Sequence, residues 1–289
     1  MPFATETTSI VFRDVRDIEE IKALEDLQIE AWGDSERDVV PLSQFVAARY
    51  VGGTLIGAFD GEKLVGFVYG FYGHVGGRIV HHSHMLAVDP GYRSRNLGFR
   101  LKAAQREQVL ADRLTDRMTW TFDPLQSLNA HFNFAKLGVL SDTYKVNVYG
   151  EQGASFLHQN GTDRLFVTWL LDSKRVQDLM LGKDAGRKDR IGSVPTGSRL
   201  ICNSNSGAPE RPAEIDSAST AKVVTIEIPA NINSIEQVDL EMARKWREET
   251  RSVFLQALSE GFVVVDYFLE NDGTGTYVLE KAPLDQLGI

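Results

Sequence analysis

Between Thr54 and Asp89 three runs rich in β-branched and aromatic residues, TLIGAFD, KLVGFVYGFYG and RIVHHSHMLAVD, are separated by Asp60-Gly61 and Gly76-Gly77. Spacers this short, carrying glycine, fit hairpin turns and predict a three-stranded antiparallel meander. The meander constrains whatever flanks it. Upstream, SIVFRDV reads as a strand, and Ile21, Leu24, Leu27 and Ala31 fall on one face of a helix from about Ile18 to Trp32. A short helix follows near Leu42 to Tyr50. Downstream, MLAVDPGYRSRNLGFRLKAAQRE begins as a strand and ends as a helix, with Leu97, Leu101 and Ala104 on its buried face. A strand RMTWTFDPL, a helix SLNAHFNFAKLG closed by Gly138, and extended runs YKVNVYG and RLFVTWLL complete this block. The order predicts an α/β (α+β) fold, a mixed sheet with helices packed on it.

Composition changes after Leu181. Residues 182–221 are rich in Gly, Pro, Ser and charge with little periodicity, and read as a linker or surface excursion. A smaller α/β region follows at 222–289: KVVTIEIP with Val224, Ile226 and Ile228 alternating, a long helix from about Ile235 and a hairpin of FVVVDYFL and TYVLE through Asn271-Asp272-Gly273. On the helix Ala243, Trp246, Thr250, Val253 and Ala257 recur at three-four spacing. The expected division is therefore 1–181, 182–221 and 222–289. Cys202, the one cysteine, excludes an intrachain disulfide and sits in loop-like RLICNSNSGAPE. A net charge of −9 argues against nucleic acid or an anionic membrane as partner. Lacking an apolar run of membrane-spanning length and, at MPFATETTSI, the marks of a signal peptide, the sequence predicts a cytoplasmic protein.

One turn asks for a ligand. Helix starts leave amides unpaired and carry a positive dipole end, and Arg93 and Arg95 add charge just before this one, which suits a phosphate or pyrophosphate. A solvated basic turn is the alternative reading. HMLAVDPGYRSRNLGFRL resembles the acyl-CoA-binding motif of the GCN5-related N-acetyltransferase (GNAT) superfamily: a strand ending L-x-V, Pro, a Tyr-Arg pair, then Arg or Gln, two free positions, Gly, a free position, and Gly or Ala. Arg93, Ser94, Arg95, Asn96, Leu97 and Gly98 occupy those six places. Asn96 replaces the first glycine, and asparagine is the side-chain-bearing residue that best tolerates left-handed backbone. A second stretch, NAHFNFAKLGV, resembles the superfamily helix N-x-x-A-x-x-F-Y-x-K-x-G-F that flanks pantetheine, with Asn129, Lys136, Leu137 and Gly138 matched, the small residue displaced and Phe134 in place of the tyrosine.

The resemblance covers roughly residues 8–171, and more closely a bacterial branch with a C-terminal extension. It implies a mostly antiparallel sheet flanked by helices, and an acyl-CoA co-substrate, acetyl-CoA by default, without a metal. Leu86, Ala87 and Val88 would bind pantetheine through their backbone. Residues 93–98 would cradle the diphosphate, and Asn129, Phe134 and Lys136 would flank the thiol arm. The implied partner is a small amine, and a homodimer is possible.

Acyl transfer to an amine needs a base for the amine proton, a polarised carbonyl and a protonated leaving thiolate. Alternation places His82, His84 and Leu86 on one face and His81, Ser83 and Met85 on the other. His84 is the first candidate base and His82 the second, against the plain reading of sheet histidines; a metal site lacks a nearby Cys or acidic cluster. Asp123 orients a histidine or the amine, or serves only as a turn residue before Pro124. With Phe134 lacking a hydroxyl, Tyr149 or Tyr144 is the replacement acid. The leading reading is an N-acetyltransferase working by direct attack in a ternary complex. Transfer of succinyl or another acyl group to amino acids, and a non-catalytic acyl-CoA sensor, are the alternatives; a Rossmann-type nucleotide site lacks its glycine fingerprint.

Overall fold

The computed structural model describes residues 9–33, 39–93, 95–150, 160–183, 199–203, 208–210, 222–269 and 274–282. Ser94, the turn Asn271-Asp272-Gly273 and most of the expected linker lie outside them. The chain divides into two compact units, Met1–Met118 and Thr119–Ile289.

In the first unit, strands β1 (Val11–Asp14), β2 (Thr54–Asp60), β3 (Lys63–Val75) and β4 (Arg78–Val88) are antiparallel neighbours in chain order. Helix α1 (Ile18–Trp32) starts where the Asp17 carboxylate accepts the Glu20 N–H at 2.9 Å, and stops at Gly33 in the left-handed region. It buries Ile21, Leu24 and Leu27 with α2 (Leu42–Tyr50) against Phe45, Phe67 and Tyr69. Helix α3 (Leu97–Asp112) packs Leu97 and Leu101 with Ile56, Val65 and Val68. With both faces covered, β2 and most of β3 are buried at consecutive positions, which is why their sequences run apolar rather than alternate.

The second unit begins within β5 (Arg117–Phe122), which leads to α4 (Ser127–Ala130), continued by a π-helical stretch His131–Leu137 that ends at left-handed Gly138. Its other elements are β6 (Leu140–Lys145), β7 (Arg164–Leu170), α5 (Lys174–Met180), β8 (Arg199–Asn203), β9 (Pro209–Glu210), β10 (Val223–Ile228), α6 (Ile232–Val238), α7 (Leu240–Ser259), β11 (Phe262–Leu269) and β12 (Gly275–Lys281). The strands are ordered β5-β7-β6-β11-β12-β10-β8-β9. Val264 of β11 pairs with Ser141 of β6, so strands from residues 140–170 and 223–281 share one sheet. β8 and β10 run parallel, whereas β6–β7, β6–β11, β11–β12, β10–β12 and β8–β9 are antiparallel, so the sheet is mixed and mostly antiparallel.

Three expectations change here. Cys202 lies in β8, paired with Glu210, rather than in a loop. YKVNVYG is strand only to Lys145; residues 146–150 turn, with Asn147 at φ 47°. The single long helix from Ile235 is two, because Asp239 is extended at φ −147° and caps α7 through the Met242 N–H at 2.9 Å. The expected stripe on α7 is buried, and β10 is buried on both faces, Thr225 and Glu227 included.

Candidate functional site

β4 feeds a single 3₁₀ turn, Pro90–Tyr92, held to the β2–β3 hairpin. The Asp89 carboxylate accepts the Gly91 N–H at 2.7 Å and the Lys63 ammonium at 2.8 Å, and the latter bond holds its pKa below the usual carboxylate range. The Tyr92 hydroxyl donates to Asp60 at 2.8 Å, and Arg95 stacks over the Tyr92 ring at 4.7 Å. Arg93 donates to the Ala31 carbonyl at 2.9 Å near the end of α1. Both arginines remain exposed.

Asn96 sits at φ 59°, ψ 22°, the left-handed geometry that glycine adopts at least cost. Its side chain makes no cap bond, while its carbonyl accepts the Arg100 N–H at 3.2 Å. The amides of Leu97, Gly98 and Phe99, in the first turn of α3, have no carbonyl within the helix to bond. Two exposed arginines therefore stand within a few residues of the helix start.

The histidine strand departs from simple alternation. Tyr69 pairs with Met85 and Gly70 with Ser83, leaving His84 as the extra residue of a bulge. Before it, His81 bonds Thr54 of β2 and Ser83 bonds Gln105 of α3, while His82 and His84 lie 5.7 and 5.9 Å from the Phe71 ring and 6.2 Å from each other. After it the sense inverts. Met85 joins the α1–α2 core and Leu86 and Val88 join the α3 core, so Leu86 does not share the face of His82 and His84. Ala87 is buried with Met85.

On the α3 side a buried polar chain runs beneath the bulge. Lys102 donates to Ser83 Oγ at 2.8 Å and to Gln105 Oε1 at 3.3 Å; Ser83 Oγ donates to Gln105 Oε1 at 2.8 Å. Gln105 Nε2 donates to Thr54 Oγ1 at 3.0 Å, which lies 3.1 Å from His81 Nε2. Gly70 makes room, since a Cβ there would overlap the His81 ring and lie 2.7 Å from the His82 carbonyl oxygen. Lys102 is 2% exposed, and desolvation pushes its pKa well down. Lys102 is not legible in the sequence because nothing in its local spacing distinguishes a lysine turned into the sheet from Arg100 and Arg106 on the same helix.

Desolvation, first among the causes, lowers His81 to about 3 and His82 to about 4, and lowers accessible His84 as well. All three are therefore neutral at pH 7. Between pH 6.5 and about 3 the unfolded chain holds a proton on His81 that the folded chain lacks, so stability falls as pH drops through this window. The expected slope is about 1.4 kcal/mol per pH unit from His81. Urea unfolding at pH 5 and pH 7 checks it: His81→Gln should narrow the difference, and an unchanged difference would remove His81 as its source.

In the second unit the Asp123 carboxylate receives both arms of the Arg247 guanidinium, at 2.6 and 2.7 Å, and the Leu125 N–H at 2.9 Å. It is thus a turn residue and the partner of a buried cation, committed on both oxygens. Arg247 also donates to the Asn160 carbonyl at 2.9 Å. Asn129 and Lys136 are exposed. Counting back from Gly138, the leading position of N-x-x-A-x-x-F-Y-x-K-x-G-F falls on Ser127 and its small residue on Ala130, both buried. Gly138 is the anchor that locates this register in the sequence.

Phe134 is 0% exposed and packs edge-on against Phe122 and Tyr277, at 6.1 and 5.7 Å between ring centres. Tyr144 is buried and donates to Asp163 at 2.8 Å; burial pushes its pKa well up. Tyr149 is exposed in the turn after β6, with Arg164 at 5.2 Å over its ring. Among the described residues no group of three or more His, Cys, Asp or Glu is placed to hold a metal ion, and no helix is long and apolar enough to cross a membrane.

Residues 17–139 match the family model described as Acetyltransferase (GNAT) family. No curated protein matches the chain. Solved structures similar to it include the ribosomal-protein-S18-alanine N-acetyltransferase of Escherichia coli, at 12% identity over 56% of this chain and 94% of that one, with a TM-score of 0.46. The PaiA N-acetyltransferase of Thermoplasma acidophilum in complex with coenzyme A shares 13% identity over 55% of this chain and 98% of that one, TM-score 0.38. An aminoglycoside 6'-acetyltransferase type Ii shares 18% over 56% and 97%, TM-score 0.44.

Proposed function

We propose, from the premise that the chain belongs to the GNAT acetyltransferase superfamily through residues 17–139, that it is an acyl-CoA-dependent N-acyltransferase acting on a small amine or amino acid. The observation that carries the reading is the turn at Arg93–Leu97. Asn96 reproduces glycine's backbone there, at the mouth of a helix flanked by two exposed arginines. Arg93, Arg95 and the amides at the start of α3, those of Leu97 and Gly98 among them, take the diphosphate of coenzyme A. The backbone of Leu86, Ala87 and Val88 takes the pantetheine arm and polarises the thioester carbonyl. Phe134 and Lys136 hold the positions that the family resemblance sets beside the thiol arm, while its leading position falls on Ser127 rather than Asn129.

His84, with His82 beside it, takes the proton from the attacking amine. The nitrogen adds to the thioester carbon, the C–S bond breaks, and the departing thiolate takes a proton from Tyr149 or water. Acetyl-CoA is the default donor, and succinyl-CoA is the next to test. Asp123 acts by shaping its turn, because its oxygens are already engaged by Arg247 and Leu125. A second reading, a non-catalytic acyl-CoA sensor, is favoured by one feature: Phe134 offers no acid and is fully buried.

Calorimetric titration with CoA, acetyl-CoA and succinyl-CoA tests the proposal, beside an Arg93→Ala plus Arg95→Ala variant. Saturable binding, weakened by at least tenfold in the variant, is the expected result. No binding of any CoA species to the unmodified protein would overturn it. If binding occurs, His84→Ala separates the two readings: an enzyme loses turnover while keeping CoA affinity, and a sensor has no turnover to lose.

A further inference from the structure

Four residues beyond the family match grip the turn between β5 and α4. Arg247 of α7 holds the Asp123 carboxylate at 2.6 and 2.7 Å. Tyr277 of β12 donates its hydroxyl to the Pro124 carbonyl at 2.6 Å. Asn233 of α6 accepts from the Gln126 amide at 2.9 Å, and Tyr267 of β11 donates to Ser127 Oγ at 2.7 Å. Positions 123, 124, 126 and 127 are thus held from four different elements. Three of those grips come from residues at most 4% exposed.

These bonds are not incidental to packing. Tyr267 and Tyr277 are both 0% exposed, so each hydroxyl must be satisfied inside the protein, and the β5–α4 turn supplies both acceptors. Tyr277 also packs edge-on against Phe134 at 5.7 Å and Tyr267 at 4.8 Å, so one residue supports the turn and the helix that follows it. A connecting turn of this kind ordinarily samples several conformations, and each buried bond narrows them. Proline at 124 removes one further degree of freedom.

We infer that α6, α7, β11 and β12 form a clasp that fixes the β5–α4 turn, and that Tyr277, Tyr267 and Arg247 are positioning residues for α4, the start of the helix to which the proposed function gives the pantetheine arm. The inference rests on the acyltransferase reading for the site and on geometry alone for the clasp. It gives the C-terminal region a role in activity without placing any of its side chains on substrate.

The test uses the full chain and the mildest change, Tyr277→Phe, which keeps the ring and removes one bond. Hydrogen–deuterium exchange should quicken at residues 125–130 by about tenfold, the loss of one buried hydrogen bond expressed as local opening. The CoA dissociation constant should rise severalfold, with kcat reduced and the melting temperature lowered by about 2–4 °C. Tyr267→Phe should act in the same direction, and Arg93→Ala plus Arg95→Ala should weaken CoA binding without changing exchange at 125–130. Unchanged exchange in Tyr277→Phe and Tyr267→Phe would overturn the clasp. Quickened exchange with unaltered CoA affinity and turnover would overturn its role at the site. If the unmodified protein binds no CoA, the acyltransferase reading falls together with the site role, while the exchange result still decides the clasp.

Discussion

Arg247→Ala should destabilise the protein by about 3–5 kcal/mol, the scale for removing one partner of a buried ion pair. Arg247 is 4% exposed, and its guanidinium is divided between the Asp123 carboxylate and the Asn160 carbonyl. Truncation leaves a poorly hydrated carboxylate without its cation and a carbonyl without its donor, so the penalty exceeds the net worth of the pair itself. Burial alone would lower the guanidinium's pKa, but the adjacent carboxylate outweighs it and the shift is upward. The charge is therefore retained at every pH at which the protein is folded. Asp123→Asn keeps the shape of the pair and should cost less. Combining it with Arg247→Met should recover part of the Arg247→Ala loss, since no charge then remains to be solvated. Urea midpoints for the three variants check the order. A loss below about 1 kcal/mol for Arg247→Ala would show the pair to be solvated in solution.

That pair also marks the limit of what the sequence discloses. Asp123 and Arg247 are 124 positions apart, and no local pattern joins them. Asp123-Pro124 is legible as a turn, and the stripe Ala243, Trp246, Thr250, Val253 and Ala257 is legible as a buried helix face, because both are written in local spacing. Arg247 stands immediately beside Trp246 on that helix, and only tertiary placement tells it from exposed Arg244.

The same division runs through the first unit. The meander, α1 and the start of α3 follow from turn residues and periodicity, and left-handed Asn96 follows from the chemistry of that one side chain. The bulge at His84 does not, because it depends on how β3 and β4 slide past each other, and a single extra residue reverses the facing of Met85 and Leu86. Asp239 carries two competing signals: a good cap residue stands inside a helical period, and the cap divides the helix there.

Gly275→Ala should cost about 2–5 kcal/mol, adding an overpacking term to a broken buried hydrogen bond. Gly275 opens β12 opposite Leu269 of β11 and Ile228 of β10. Its backbone has no need of glycine's conformational freedom; the constraint is space. A Cβ at this position would overlap the Tyr267 hydroxyl and ring edge. Tyr267 is fully buried between Tyr277 and the Ser127 hydroxyl, so the ring has no solvent to move into. The methyl would push the phenol off Ser127 and loosen one of the four grips on the β5–α4 turn. A double-mutant cycle isolates the clash. With Tyr267→Leu already in place the overlapping atoms are gone, and Gly275→Ala should then cost at least 1 kcal/mol less than it does alone. Penalties that simply add, within about 0.5 kcal/mol, would mean that Tyr267 does not occupy the space above Gly275.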